Sequence, residues 1–209
     1  MNSFNHRELD SEDICFFLHT RETHQYNEIE QWSYAYQTIE NFKISPTALQ
    51  NTPARRQYKE RAVQAITDDL ARLFRDSDPR ARFLLVPAVT SKSKADPNYD
   101  DRLVRVCSMV AGRFPNVDWF EMLSTSRTIA SAHTGAGTRD VSALLSNIVV
   151  DTSIPVMNYA SVLIFDDVIS SRAHFKACEA AIKRAYGNDV LVEGVFWART
   201  ASWGENEGL

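Results

Sequence analysis

Apolar and polar positions follow two rhythms along this chain, and the rhythms separate strands from helices. Residues 14–19 (ICFFLH) form a short apolar run of strand length. Residues 26–40 place Tyr26, Ile29, Trp32, Tyr36 and Ile39 three and four apart, which predicts a helix with an aromatic stripe packed on a core. Prolines 46 and 53 punctuate residues 45–54, the expected connection between an N-terminal segment (1–53) and the main body (54–209). A long helix is predicted over 54–75, with Tyr58, Ala62, Ile66, Leu70 and Leu73 on one face. Its first turns carry Arg55, Arg56, Lys59 and Arg61, against the preference of the helix dipole. A solvated face accounts for those cations, and contact with an anion is the functional alternative. Asp76-Ser-Asp-Pro79 ends this helix.

The second half repeats the theme. Residues 82–89 (RFLLVPAV) are apolar throughout, as a strand covered on both faces must be. After a loop at 90–98, Asp100-Asp101 caps a helix running to Ala111, with Gly112 beyond its end. Residues 117–123 are expected to be extended. The polar stretch 124–146 reads as a long loop or flap with a helix near 139–146, and 148–151 is short and extended. Residues 161–165 (SVLIF) form a second wholly apolar strand, ending at Asp166-Asp167. A helix over 172–186, stopped by Gly187-Asn188, and a strand over 190–197 complete the pattern. Alternating strands and helices predict an α/β fold with a parallel sheet flanked by helices.

Composition narrows the function. The chain has 209 residues and a formal charge of −4. That balance argues against general nucleic-acid coating, which needs clustered Lys and Arg. Three distant cysteines, Cys15, Cys107 and Cys178, form neither a disulfide framework nor a zinc pattern, so a reducing compartment is expected. The polar start lacks the features of a signal peptide, and no apolar run approaches the ~20 residues that span a bilayer. A cytoplasmic protein without a membrane anchor is the expectation.

The segment with most chemistry is 162–178. A buried strand delivers Asp166 and Asp167, then Ser170 and Ser171, then a helix start. In open α/β sheets ligands gather beyond the carboxyl ends of strands. A helix N-terminus presents unpaired N–H groups that suit a phosphate. Paired acids suit sugar hydroxyls or a magnesium ion. A solvated turn that caps the next helix would also carry Asp-Asp.

This segment resembles the phosphoribosyl pyrophosphate (PRPP) motif of type I phosphoribosyltransferases, in which an apolar strand runs into two acids and a Thr/Gly-rich loop. The resemblance extends, dispersed, over most of 30–200. Residues 84–94 look like the first core strand and diphosphate loop. Residues 127–151 are similar to the segment upstream of the motif in ComF-type members, and 190–200 to their last strand. Ile39–Lys43 and Tyr58-Lys59 resemble their N-terminal region. It implies a phosphoribosyltransferase-type sheet with a hood, a sugar-phosphate or nucleotide ligand, magnesium delivered with PRPP, and a homodimer. It further implies that Asp166 and Asp167 hold the ribose hydroxyls and that Ser91, Lys92, Ser93 and Lys94 line the diphosphate loop. Ser170, Ser171, Arg172, Ala173 and His174 would then form the phosphate loop, with Arg127 and Arg139 on a closing flap.

The chain departs from the family in that loop. Arg172, Ala173 and His174 stand where glycine and threonine are usual, and no glycine lies between Gly137 and Gly187. Either Arg172 holds the anion through its guanidinium fork, or the amide cradle is broken. Two functions follow: a protein that binds PRPP or a nucleotide and transfers phosphoribosyl to a base, or a catalytically silent member of the fold that senses a nucleotide or binds a protein partner. Degenerate members resemble accessory proteins of bacterial defence systems of the retron type.

Overall fold

In a computed structural model of the chain, the described residues are 13–22, 33–126, 140–169 and 172–201. Their centre is a five-stranded sheet in which every pairing is parallel. The strands are β1 (Cys15–Glu22), β2 (Phe83–Pro87), β3 (Val117–Trp119), β6 (Ser161–Ile169) and β7 (Val192–Ala201). Their spatial order is β1-β7-β6-β2-β3. The N-terminal strand is therefore an edge of the main sheet, with Phe17 registered against Phe196. A separate antiparallel pair joins β4 (Leu123–Thr125) to β5 (Ile148–Val150). It brackets the stretch read as a flap, whose Arg127, Arg139 and glycines lie outside the described residues.

Helices cover both faces. α1 (Tyr34–Phe42), α3 (Arg56–Arg75) and α4 (Arg102–Ala111) pack together on one side. On the other, α6 (Ala173–Tyr186) packs against β6 and β7, and the short α5 (Val141–Leu145) lies beside it. Strand alternation divides the core between them. On β7, Phe196 meets Phe175 of α6, whereas Trp197 turns the other way and donates its indole N–H to Asp69 of α3 at 3.1 Å. Gly194 shares the Phe196 face. A Cβ there would stand 2.6 Å from the Phe196 ring and 2.9 Å from Cys15 Sγ, so only glycine fits. Among the described residues no helix is long and apolar enough to cross a membrane.

Several elements depart from the sequence pattern for identifiable reasons. The stretch 45–54 is not a plain connection. Ser45 accepts from Ala48 N–H and Pro46 takes the first helical position of α2 (Pro46–Asn51), where its missing N–H costs nothing. α1 starts at Tyr34, capped by Ser33; Tyr26, Ile29 and Trp32 lie outside the described residues. The buried face of α3 runs through Lys59, Ala62, Val63, Ile66 and Leu70, and Tyr58 is exposed. Asp101 occupies the cap position of α4 without a side-chain capping bond, and it is Asp100 Oδ1 that accepts from Arg102 N–H, at 3.3 Å. Most consequentially, β6 does not stop at Phe165. It continues through both aspartates to Ile169, with Val168 and Ile169 registered against Ala198 and Arg199 of β7.

Candidate functional site

The connectivity of the sheet marks one crevice. β2 is flanked by β3 on one side and β6 on the other. From β2 the chain moves outward to β3, then returns past β2 to build β6 and β7 in the opposite direction. Such a reversal marks the carboxyl ends of the two central strands, the usual ligand position in open α/β sheets; the cleft beside it is not lined by Asp166, Asp167, Arg172 or His174. The loop after β2 (90–98) and the entry to α6 both emerge there.

The two aspartates lie inside a strand, so their side chains leave on opposite faces. Asp167 turns toward α1 and α4. Its Oδ1 lies 3.0 Å from Lys43 Nζ at the end of α1, and its Oδ2 accepts from Arg102 Nη2 at 2.9 Å and Nε at 3.2 Å. Arg102 also bonds Asp100, at 3.1 Å. Asp100 is gripped in turn by Lys59 Nζ at 2.7 and 2.8 Å, and Lys59 donates to the Ile44 carbonyl at 2.7 Å. Five charged groups thus alternate in sign from α1 to α3. Burial alone would raise the Asp167 carboxyl, but Lys43 and Arg102 outweigh it and hold the group well below the usual carboxylate range. Burial pulls the Lys59 ammonium below its ordinary value despite Asp100.

Asp166 turns toward α6. Its Oδ2 lies 3.2 Å from His174 Nδ1, and its Oδ1 accepts from Asp167 N–H at 2.8 Å. Burial of His174 opposes protonation, and the bond to Asp166 overcomes it, so the imidazole is raised above its ordinary value. Just before it, Arg172 occupies the left-handed region at φ 60°, a conformation unfavourable for a residue with a Cβ. Arg172 and Ala173 are buried, His174 half-buried. Ser170 and Ser171 lie outside the described residues.

The 90–98 loop lies beside β2, and a cleft opens between it, the start of α4 and β4. Its two lysines reach that cleft already partnered: Lys94 Nζ lies 2.8 Å from Glu121, and Lys92 Nζ 3.7 Å from Asp96. Glu121 also accepts from the Tyr99 hydroxyl. Ser91 and Ser93 are half-buried in the loop and do not line the cleft. Trp197 and the thiols of Cys107 and Cys178 are buried, and burial drives both thiols up, Cys178 to about 12, so neither offers a thiolate.

The donor set does not suit a resident metal ion. Among the described residues no three His, Cys, Asp or Glu side chains are grouped to hold one. Asp167, Asp100 and Glu121 each already face a cation.

The structure thus brings Asp166 together with His174, and separates Asp167 from both. The network of Lys43, Arg102, Asp100 and Lys59 escaped the sequence reading. One signal for it existed: Lys59 stands three, four and seven residues before Ala62, Val63 and Ile66, on the apolar stripe rather than opposite it. Comparison with protein-family models and with curated proteins finds no match to this chain.

Proposed function

We infer that this protein binds a phosphorylated sugar, as PRPP or as a nucleotide, in the crevice between β2 and β6. The observation that carries the reading is the reversal of strand order at that point, with an acid, a histidine and a helix entry assembled beside it. Asp166 supplies hydroxyl acceptors. Arg172, His174 and the opening of α6 supply positive potential for phosphate oxygens, taking over from glycine-dependent amides. In the transfer reaction of phosphoribosyltransferases, the bond from C1 of the ribose to the diphosphate breaks and a base nitrogen bonds to C1. Here Asp166 would stabilise the positive charge that develops on the ring. The resemblance of 162–171 to the PRPP motif supports this reading and the phosphoribosyltransferase-type fold.

One observation favours a second reading, binding without transfer. Asp167, one of the two acids the motif devotes to ribose, is neutralised by Lys43 and Arg102. A sensor that reads nucleotide or PRPP levels and reports to a protein partner needs the crevice but not the transfer step.

Thermal unfolding with added ligand tests both. A ligand at one hundred times its dissociation constant stabilises the native state by about 2.7 kcal/mol. PRPP with magnesium, or a nucleoside monophosphate, should raise the melting temperature by several degrees. Production of diphosphate from PRPP with a mixture of bases would select transfer over sensing. A melting temperature that none of these ligands moves would remove the reading.

A further inference from the structure

The cleft beside β2 combines an apolar floor with matched charges, and one of its polar atoms has nothing to bond. Val89, Leu103 and Leu123 line it and are buried. On its polar side Glu121 is shared between two donors: Oε1 accepts from the Tyr99 hydroxyl, and Oε2 faces Lys94 Nζ at 2.8 Å. The other charges of the lining are matched as well, Lys92 by Asp96 and Asp100 by Lys59 and Arg102. Thr125, at the end of β4, also lines the cleft. Its Oγ1 is buried and has no hydrogen-bond partner among the described residues. A buried hydroxyl left unpaired is costly, and native structures rarely keep one unless a water, an ion or a ligand completes it. A diphosphate, the occupant that the resemblance implies for the 91–94 loop, would find both lysines already neutralised. Any ligand of net charge leaves its own charge or a displaced one unmatched beside apolar side chains. A zwitterion does not. Its ammonium can replace Lys94 on Glu121 while its carboxylate follows Lys94, whose side chain is 54% exposed and so able to swing.

We propose that this cleft binds a small zwitterion with an apolar body, the chemistry of a free α-amino acid such as leucine. Glu121 receives the ammonium, Lys94 the carboxylate, and the side chain lies on Val89, Leu103 and Leu123. A carboxylate oxygen of the ligand accepts the Thr125 hydroxyl proton. The Tyr99 hydroxyl holds the Glu121 carboxylate in place through the exchange. A largely apolar wall with a few placed polar groups is the usual form of a small-molecule site. Asp166, Arg172 and His174 take no part, so the assignment is independent of the phosphosugar reading above.

Amide-resonance titrations of the full chain by NMR, with leucine, methionine, phenylalanine and valine in turn, test the proposal. At least one should bind and shift amides on both sides of the cleft, in 90–99 and in 121–125. The amine and the acid that share the best binder's side chain (3-methylbutylamine and 4-methylpentanoate in the case of leucine) should bind at least about tenfold more weakly, the size of a hydrogen bond to a charged group. Glu121→Gln and Lys94→Met should each weaken the amino acid by a similar factor. Lys94→Met alters an exposed side chain and serves where Glu121→Gln does not fold. Thr125→Val removes the hydroxyl and keeps the branched shape. It should weaken binding several-fold and raise the melting temperature of the ligand-free chain, which loss of a merely structural hydroxyl would lower. Failure of all four amino acids to bind would overturn the proposal, as would an amine or acid that binds as tightly as the zwitterion. Binding undiminished in Lys94→Met would do the same. A lower melting temperature in ligand-free Thr125→Val would overturn it too, since the hydroxyl would then already have a partner. Displacement of the amino acid by inorganic diphosphate would return the cleft to an anion and defeat it equally. None of these outcomes moves the phosphosugar reading, which its own ligands test.

Discussion

The two faces of β6 solve the same problem, an acid inside a parallel strand, by opposite means. On the α4 face, Asp167 is buried and bound by two cations in a chain of five alternating charges. On the α6 face, Asp166 meets one histidine and keeps contact with solvent. A buried carboxylate tolerates an apolar interior only when its charge is matched nearby. One with about a fifth of its side chain exposed keeps part of its hydration. The contrast shows how two adjacent, chemically identical residues acquire different duties once strand alternation assigns them to different environments.

Breaking the charged face should have the largest effect. Arg102→Met leaves Asp167 with Lys43 alone and Asp100 with Lys59 alone. Loss of one member of a buried ionic network costs about 3–5 kcal/mol, which chemical denaturation will measure. On the opposite face the core depends on close packing rather than charge. Gly194→Ala should cost about 1–3 kcal/mol by the same measurement, because the added methyl has no room between Phe196 and Cys15. A loss below about 0.5 kcal/mol in either variant would erase the distinction between an ionic and a packed face.

Acid titration sharpens it further. Asp167 is held lower in the folded chain than in the unfolded one, at about 2. A depressed carboxyl adds stability that is fully present above its unfolded value near 4 and is lost as pH falls through the folded value. The contribution is on the order of 2 kcal/mol. Stability measured from pH 5 down to pH 2 should therefore fall, and Asp167→Asn should flatten that limb. If Asp167→Asn and wild type lose stability in parallel over that range, Asp167 is not the group responsible.

Much of the architecture was legible because burial on both faces leaves a strong trace. FLLVP of β2 and SVLIF of β6 read as strands from apolarity alone, and both lie at the sheet's centre. Neither strand order nor the end of β6 could be read. Asp166 and Asp167 look like a stop because charge usually marks a strand's exit. Only partners from α1 and α4, 65 to 124 residues earlier, allow the strand to continue to Ile169. Likewise Lys59 reads as a solvated cation until Asp100 and the Ile44 carbonyl are seen to receive it. Short-range periodicity records which positions are apolar. It does not record which charges will find one another across the fold. The candidate site followed the same division: the segment 162–174 was visible, and the split of its acids was not.

The smallest expected effect lies on the exposed side of the comparison and carries the opposite pH sign. Asp166 raises the His174 imidazole above its ordinary value. A raised histidine contributes stability that is fully present below its unfolded value near 6.5 and is lost as pH rises through the folded value. The pair is partly solvated, with the His174 side chain 35% exposed, so exposed-pair energetics apply and the whole contribution stays within about 1 kcal/mol. His174→Gln should accordingly show a modest deficit in denaturation midpoint at pH 5 to 6 that narrows as pH rises above 6.5. Proton NMR of the imidazole resonances across that range reads the titration directly. Asp166→Asn should lower the His174 midpoint, while Asp167→Asn, one residue away but on the other face, should move it less. An equal displacement by both variants would mean that the strand does not insulate its two faces.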